Sequence, residues 1–180
     1  TELSHHKRYD YRPIVDRPDY SWPDGRRLAI YIGVNHEVFS FGEGLGATLA
    51  PSQTEPDVMN YAWRDYGNRV GAWRFMELFD RLELKTTALL NSAAIRKCPD
   101  LARACRDRGD EIAAHGQTNA EAQGHMTEES ERAMIARTLD HFNELGVRPA
   151  GWLGPWISES HQTPDLLQEA GFRYVLDWAH

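Results

Sequence analysis

The chain has 180 residues, 41% hydrophobic and 26% charged, which suits one soluble domain large enough to bury a sizeable core. Its net charge of −7, with both signs interspersed, argues against nucleic acid and anionic membrane surfaces as partners, since either needs a basic patch. No apolar run approaches the roughly 20 residues that span a bilayer, and residues 1–19 lack an apolar signal core, so a cytoplasmic protein is expected.

Residues 1–26 read as an irregular arm punctuated by Arg12-Pro13, Arg17-Pro18 and Trp22-Pro23-Asp24-Gly25. The run Leu28–Val34 has the near-continuous apolar pattern of a strand buried on both faces. A long loop is expected from Phe39 to about Met59, rich in glycine and proline, of the length usually given to lids and binding loops. Within it, Phe41–Gly46 lacks the dinucleotide-binding spacing and is followed by prolines, so a flexible lid or subunit contact is the better reading. A homo-oligomer is expected accordingly. Tyr66–Leu82 carries a helical period through Val70, Trp73, Met76 and Phe79.

Thr86–Leu90 reads as the second strand, ending in Asn91 and Ser92. Pro99 opens a helix that Gly109 closes, and Glu111–Ala114 is the third strand, running into His115. Thr127 caps a long helix with Glu128 and Glu129 in its first turn, ending at Leu145 before Gly146. Gly151–Leu153 is a short fourth strand; Thr163-Pro164 starts a helix that ends before Gly171; residues 172–176 form the fifth strand. Cys98 and Cys105, seven apart across helical sequence, are too far from each other for a disulfide and read as structural thiols.

Strand followed by helix, repeated, predicts right-handed βαβ units around a parallel sheet. A closed eight-unit barrel takes about 250 residues, so the chain is expected to be an incomplete amino-terminal portion of one. In such folds ligand sites lie beyond the carboxyl ends of the strands. Those ends carry Asn35-His36-Glu37, Asn91-Ser92, His115 to Asn119, Gly154 to Glu159, and Asp177-Trp178. Polar, titratable and aromatic groups from five strands thus converge on one rim, which predicts an enzyme. His5, His6, His125, His141 and His161 read as surface residues.

Strand–Asn35-His36-Glu37, strand–His115-Gly-Gln-Thr-Asn119 and Gly151-Trp-Leu-Gly-Pro-Trp156 resemble the leading motifs of the polysaccharide-deacetylase (NodB-homology) superfamily. The likeness is to its allantoinase and cyclic-imidase branch. Tyr66-Gly-Asn-Arg-Val-Gly-Ala-Trp-Arg74 and Asp177-Trp-Ala-His180 resemble further elements of that branch. The resemblance covers roughly residues 20–180 and implies a distorted (β/α) barrel over residues 27–180, of which about five βα units are present. It places Glu37 at the catalytic acid of the sugar deacetylases and Val38 at their metal-binding aspartate. His115 and Asn119 fall at their two metal histidines, and Leu153 at the arginine that supports the acid. Of three implied metal ligands only His115 survives.

The resemblance and these departures together predict hydrolysis of a non-peptide carbon–nitrogen bond in a small amide, ureide or cyclic imide. Glu37 is expected as general base and His115 as general acid or polarising partner. Asn35 and Asn119 would orient substrate carbonyl and N–H groups, Trp152, Trp156 and Trp178 would wall a flat substrate, and Glu159 would join the binding set. No cofactor is favoured. A divalent metal such as Zn, held by Glu37 and His115, is the alternative, with His36 disfavoured as a third ligand because neighbouring strand residues face opposite sides. Two other readings remain open: a metal-dependent N-acetyl-sugar deacetylase, and a lapsed barrel that only binds a ligand.

Overall fold

The computed structural model describes residues 3–49 and 55–178. The chain divides into two units, one up to Tyr31 and the other from Ile32 onward. The first has two short 3-10 turns, Ile14–Asp16 and Pro23–Gly25, and one antiparallel bridge between Trp22 and Arg26. It buries no side chain in either turn, as expected of a segment with proline at each corner.

In the second unit five parallel strands lie in sequence order: β1 (Gly33–His36), β2 (Thr87–Leu90), β3 (Glu111–Ala114), β4 (Gly151–Trp152) and β5 (Tyr174–Val175). The α/β character and the parallel sheet expected from the strand–helix alternation are present. β1 starts later than the apolar run suggested. Its register opens at Gly33 against Thr87, where β2 begins, so Leu28 to Tyr31 have no strand opposite them and Leu28 and Ile30 stand 72% and 79% exposed. Apolar continuity marked a buried strand, but the ladder is only as long as its neighbour.

Helices α1 (Val58–Tyr66) and α2 (Ala72–Arg81) are joined by a π-helical segment, Gly67–Gly71. The first does not show in the apolar pattern because its inward side is mostly polar, with Asn60 buried and Arg64 and Asp65 half-buried, while Val58, Met59 and Trp63 are exposed. Its start is nonetheless local chemistry, since the Asp57 side chain accepts from the Asn60 N–H as an N-cap. A one-turn helix α3 (Ala94–Lys97), also unforeseen, leads into α4 (Pro99–Arg108). Helix α4 has proline in its first turn and left-handed Gly109 (φ 72°) after its last. Helix α5 (Glu128–Leu145) is capped by Thr127, whose hydroxyl accepts from Ser130 N–H, and it ends on left-handed Gly146. Helix α6 (Thr163–Glu169) precedes β5.

The core lies between the sheet and these helices, formed by Ala88, Leu90, Leu101, Ile112, Met134 and Phe142. β2 is buried at all four positions, as a central parallel strand must be. Both cysteines are free thiols; Cys105 is buried and its pKa is pushed up to about 12, mainly by that burial. Among the described residues no helix is long and apolar enough to cross a membrane.

Candidate active site

The strand ends do converge. Glu37 follows β1 and His115 follows β3, and their side chains meet with His115 Nε2 3.4 Å from Glu37 Oε1. His115 is buried, and its Nδ1 lies 2.8 Å from the Leu153 carbonyl. A carbonyl only accepts, so Nδ1 carries a proton. That turns Nε2 towards the carboxylate, a contact that is attractive when a proton lies between the two.

Asn35, two residues before Glu37 and so on the same side of the strand, donates from Nδ2 to Glu37 Oε1 at 3.0 Å. Burial presses the Glu37 carboxyl upward. The hydrogen bonds from His115 and Asn35, with the charges of His115 and Arg64, outweigh burial and hold the group below its ordinary value. Glu37 is therefore an ionised carboxylate at neutral pH. His36 points the other way: it is buried with Nε2 3.6 Å from Cys105 Sγ, outside the site.

Three asparagines hold this pair. Asn91 at the end of β2 is fully buried; its Oδ1 accepts from Val38 N–H at 2.7 Å and its Nδ2 donates to the His115 carbonyl and, at 3.0 Å, to Asn119 Oδ1. Asn119 binds Val38 O through its N–H at 2.9 Å. Asn68, in the π-helical segment, donates to the Glu37 carbonyl at 2.7 Å. Asn119 was expected to orient substrate; its carboxamide oxygen is instead spent on Asn91, and its Nδ2 donates to no acceptor among the described residues. Asn91 is at the rim where its strand end located it, but its supporting role and that of Asn68 are not legible in the sequence, because both act through backbone atoms distant in sequence. The glycine after His115 has a direct cause: Gly116 sits at φ +62°, and a Cβ there would lie 2.5 Å from Pro155.

Of the tryptophans, Trp156 reaches the mouth and Trp152 does not. Trp152 is 0% exposed, packs edge-on against Phe172 and donates from Nε1 to Gln123 Oε1 at 3.0 Å, so its assignment to the substrate wall is corrected to the core. It lies on β4 itself, whereas the mouth begins past the strand end. Trp156 is 48% exposed, meets Phe39 edge-on and donates to the Asn119 carbonyl at 2.9 Å. It and Ile157 both adopt left-handed backbone (φ 63° and 51°) without being glycine.

Glu159 accepts from Trp178 Nε1 at 2.8 Å, and Asp177 Oδ1 accepts from Gly154 N–H at 2.8 Å. Asp177 is pushed up to about 7, chiefly by burial, against the Gly154 N–H, with the Glu159 carboxylate raising it further and His115 opposing. It belongs to the same neighbourhood, which its place at the fifth strand end signalled. Ser158 serves the backbone, accepting from Gly124 N–H. His141 is not a surface residue: it is buried with Nδ1 3.0 Å from Ser92 Oγ.

A divalent ion is what the sugar-deacetylase motifs imply here. The donor set does not fit one. Val38 is apolar and buried, Asn119 Oδ1 is taken by Asn91, and among the described residues no three His, Cys, Asp or Glu side chains come together as ligands.

A parallel α/β sheet with a carboxylate–imidazole pair beyond its strand ends defines the class as a β/α-barrel-type fold with acid–base groups at its mouth. The family model for polysaccharide deacetylase matches residues 54–175, and the chain belongs to that family. A peptidoglycan deacetylase of Helicobacter pylori is 28% identical over 110 residues, 61% of this chain and 37% of that protein. The peptidoglycan deacetylase-like protein FGM2 of Gibberella zeae is 25% identical over 152 residues, 83% of this chain and 43% of that one. Among solved structures, PuuE allantoinase superposes with a TM-score of 0.75 at 27% identity, covering 94% of this chain and 61% of its own. The chain thus spans less than two thirds of each of these relatives.

Proposed function

We propose that the protein is a hydrolase of a non-peptide carbon–nitrogen bond in a small amide, ureide or cyclic imide, acting without a metal ion. The observation that carries the reading is the contact of Glu37 Oε1 with His115 Nε2 at the strand ends, His115 being oriented from behind by the Leu153 carbonyl. The relatives named deacetylase and allantoinase bear hydrolase names, which supports the class.

The Glu37 carboxylate takes a proton from water while the water oxygen attacks the carbonyl carbon. The Nε2–H of protonated His115 polarises the carbonyl oxygen as charge develops on it. As the tetrahedral intermediate collapses, the C–N bond breaks and the departing nitrogen receives the proton held by Glu37. A linear amide yields a carboxylic acid and an amine, whereas a cyclic imide or ring ureide opens to one product carrying both the new carboxylic acid and the released amide or ureido nitrogen. Asn35 keeps Glu37 aimed, and Asn119 Nδ2 is available to a substrate carbonyl. A homo-oligomer remains part of the proposal.

Hydrolysis of a panel of cyclic imides and ureides by the full-length protein, before and after chelation with metal content measured, tests this reading. Turnover that survives chelation without stoichiometric metal is expected. Chelator-sensitive turnover with a stoichiometric bound divalent ion would overturn the metal-independent reading.

A further inference from the structure

Next to Glu37 lies a cavity of about 450 Å³, walled by Tyr61, Arg64, Asn68, Trp73 and Lys97. That is the size of a small-molecule site. The Arg64 side chain is half-buried and fixed on two sides. Its Nε donates to Asn60 Oδ1 at 2.9 Å, and its guanidinium lies 3.8 Å from the centre of the Phe39 ring. Asn60 is itself buried and tied to the Gly46 carbonyl at 2.8 Å. The two terminal amino groups of Arg64 make no hydrogen bond among the described residues.

The wall's other charges are largely spoken for. Arg69 pairs with Asp65, Asp100 with Arg103, and Glu37 is occupied by Asn35 and His115. Among the described residues Arg64 and Lys97 are left facing the cavity with no carboxylate in hydrogen-bond reach. A guanidinium held flat and offering a free two-nitrogen edge is pre-organised for bidentate recognition of a carboxylate.

We infer that this cavity is an anion-recognising subsite in which Arg64, assisted by Lys97, binds a carboxylate carried by the substrate beside the bond that Glu37 and His115 attack. The inference rests on the hydrolase reading and narrows its substrate class to carboxylate-bearing ureides, amides or imides. Arg64 is then a specificity-determining residue.

The probes are hydantoin and hydantoin-5-acetate, which differ by one carboxylate arm, with binding to the full-length protein followed by calorimetry and turnover followed separately. The native protein is expected to bind the acid about tenfold more tightly than hydantoin, the size of one charge-assisted bidentate contact. Arg64→Gln is expected to abolish that preference, the variant binding the acid no more tightly than it binds hydantoin. Lys97→Gln, an exposed substitution that leaves the Phe39 stacking intact, is expected to weaken only the acid, by about threefold, whether or not the Arg64 variant folds. Equal binding of the two probes, binding of neither, or a preference that survives both substitutions would overturn the inference. Turnover of neutral imides without any acid preference would sink the subsite alone. An Arg64-dependent preference with no turnover of either probe would sink the hydrolase reading and leave the subsite standing.

Discussion

Two neighbouring titratable residues on β1 have opposite fates because a strand alternates its faces. Glu37 turns to the mouth, where donors hold it ionised, while His36 is buried beside Cys105. Burial drives the His36 pKa down to about 4, with only the Asp110 charge opposing it. Between the unfolded value near 6.5 and about 4, the unfolded chain takes up a proton that the folded one refuses, so stability falls as pH falls through that window. By pH 5 the loss should be about 2 kcal/mol relative to pH 7. His36→Gln is expected to remove that share, read as a smaller difference between denaturant midpoints at pH 7 and pH 5. An unchanged difference would place His36 in a more polar setting than its burial indicates. The structure brings Glu37, His115 and Asn35 together at the strand ends where the sequence located them, because alternation and position at a strand end are local properties, although Asn35, expected to orient substrate, spends its Nδ2 on Glu37. It misplaced Trp152 and His141, since whether an aromatic or imidazole lies above or below the rim is decided by partners such as Gln123 and Ser92, 29 and 49 residues away.

At the scale of elements, caps and turns were the most legible signals. Thr127, Gly146, Pro99 and Gly109 each act at the helix end where their chemistry put them. The π-helical joint between α1 and α2 was not legible. Its widened turn carries Asn68, which holds the Glu37 carbonyl, and no periodicity in the sequence announces it. The turn after β4 stores strain in a readable form. Ile157 is β-branched, 65% exposed and left-handed, a conformation costing about 1–2 kcal/mol for a side chain that gains no burial in return. Ile157→Gly is therefore expected to raise stability by about 1 kcal/mol, seen as a higher thermal midpoint. A lower midpoint would mean that the Ile157 side chain makes a contact that holds the turn. The loop is braced from below by buried Glu131, whose carboxylate accepts from Gln123 at 2.7 Å, from Ser160 at 2.6 Å and from Thr163. That network joins α5, α6 and the loop carrying Trp156 and Glu159. It is invisible to local pattern because a glutamate in the first turn of α5 reads as a solvated, dipole-favoured acid.

For the whole molecule, five parallel strands in sequence order bring groups from residues 35 to 177 to one side of a sheet. The alternation of strand and helix was enough to anticipate that convergence; the family was legible only in the motifs at the strand ends, Asn35-His36-Glu37, His115 to Asn119 and Gly151 to Trp156. The account rests on Glu37 serving as the base, and turnover of the full-length protein on its best imide or ureide substrate, native against Glu37→Gln, tests that most directly. The variant keeps the shape of the side chain and its hydrogen bond from Asn35 but cannot take a proton from water. A fall in kcat of about 10²-fold or more with an unchanged thermal midpoint is the expected result. Turnover near the native rate in the variant would contradict the account.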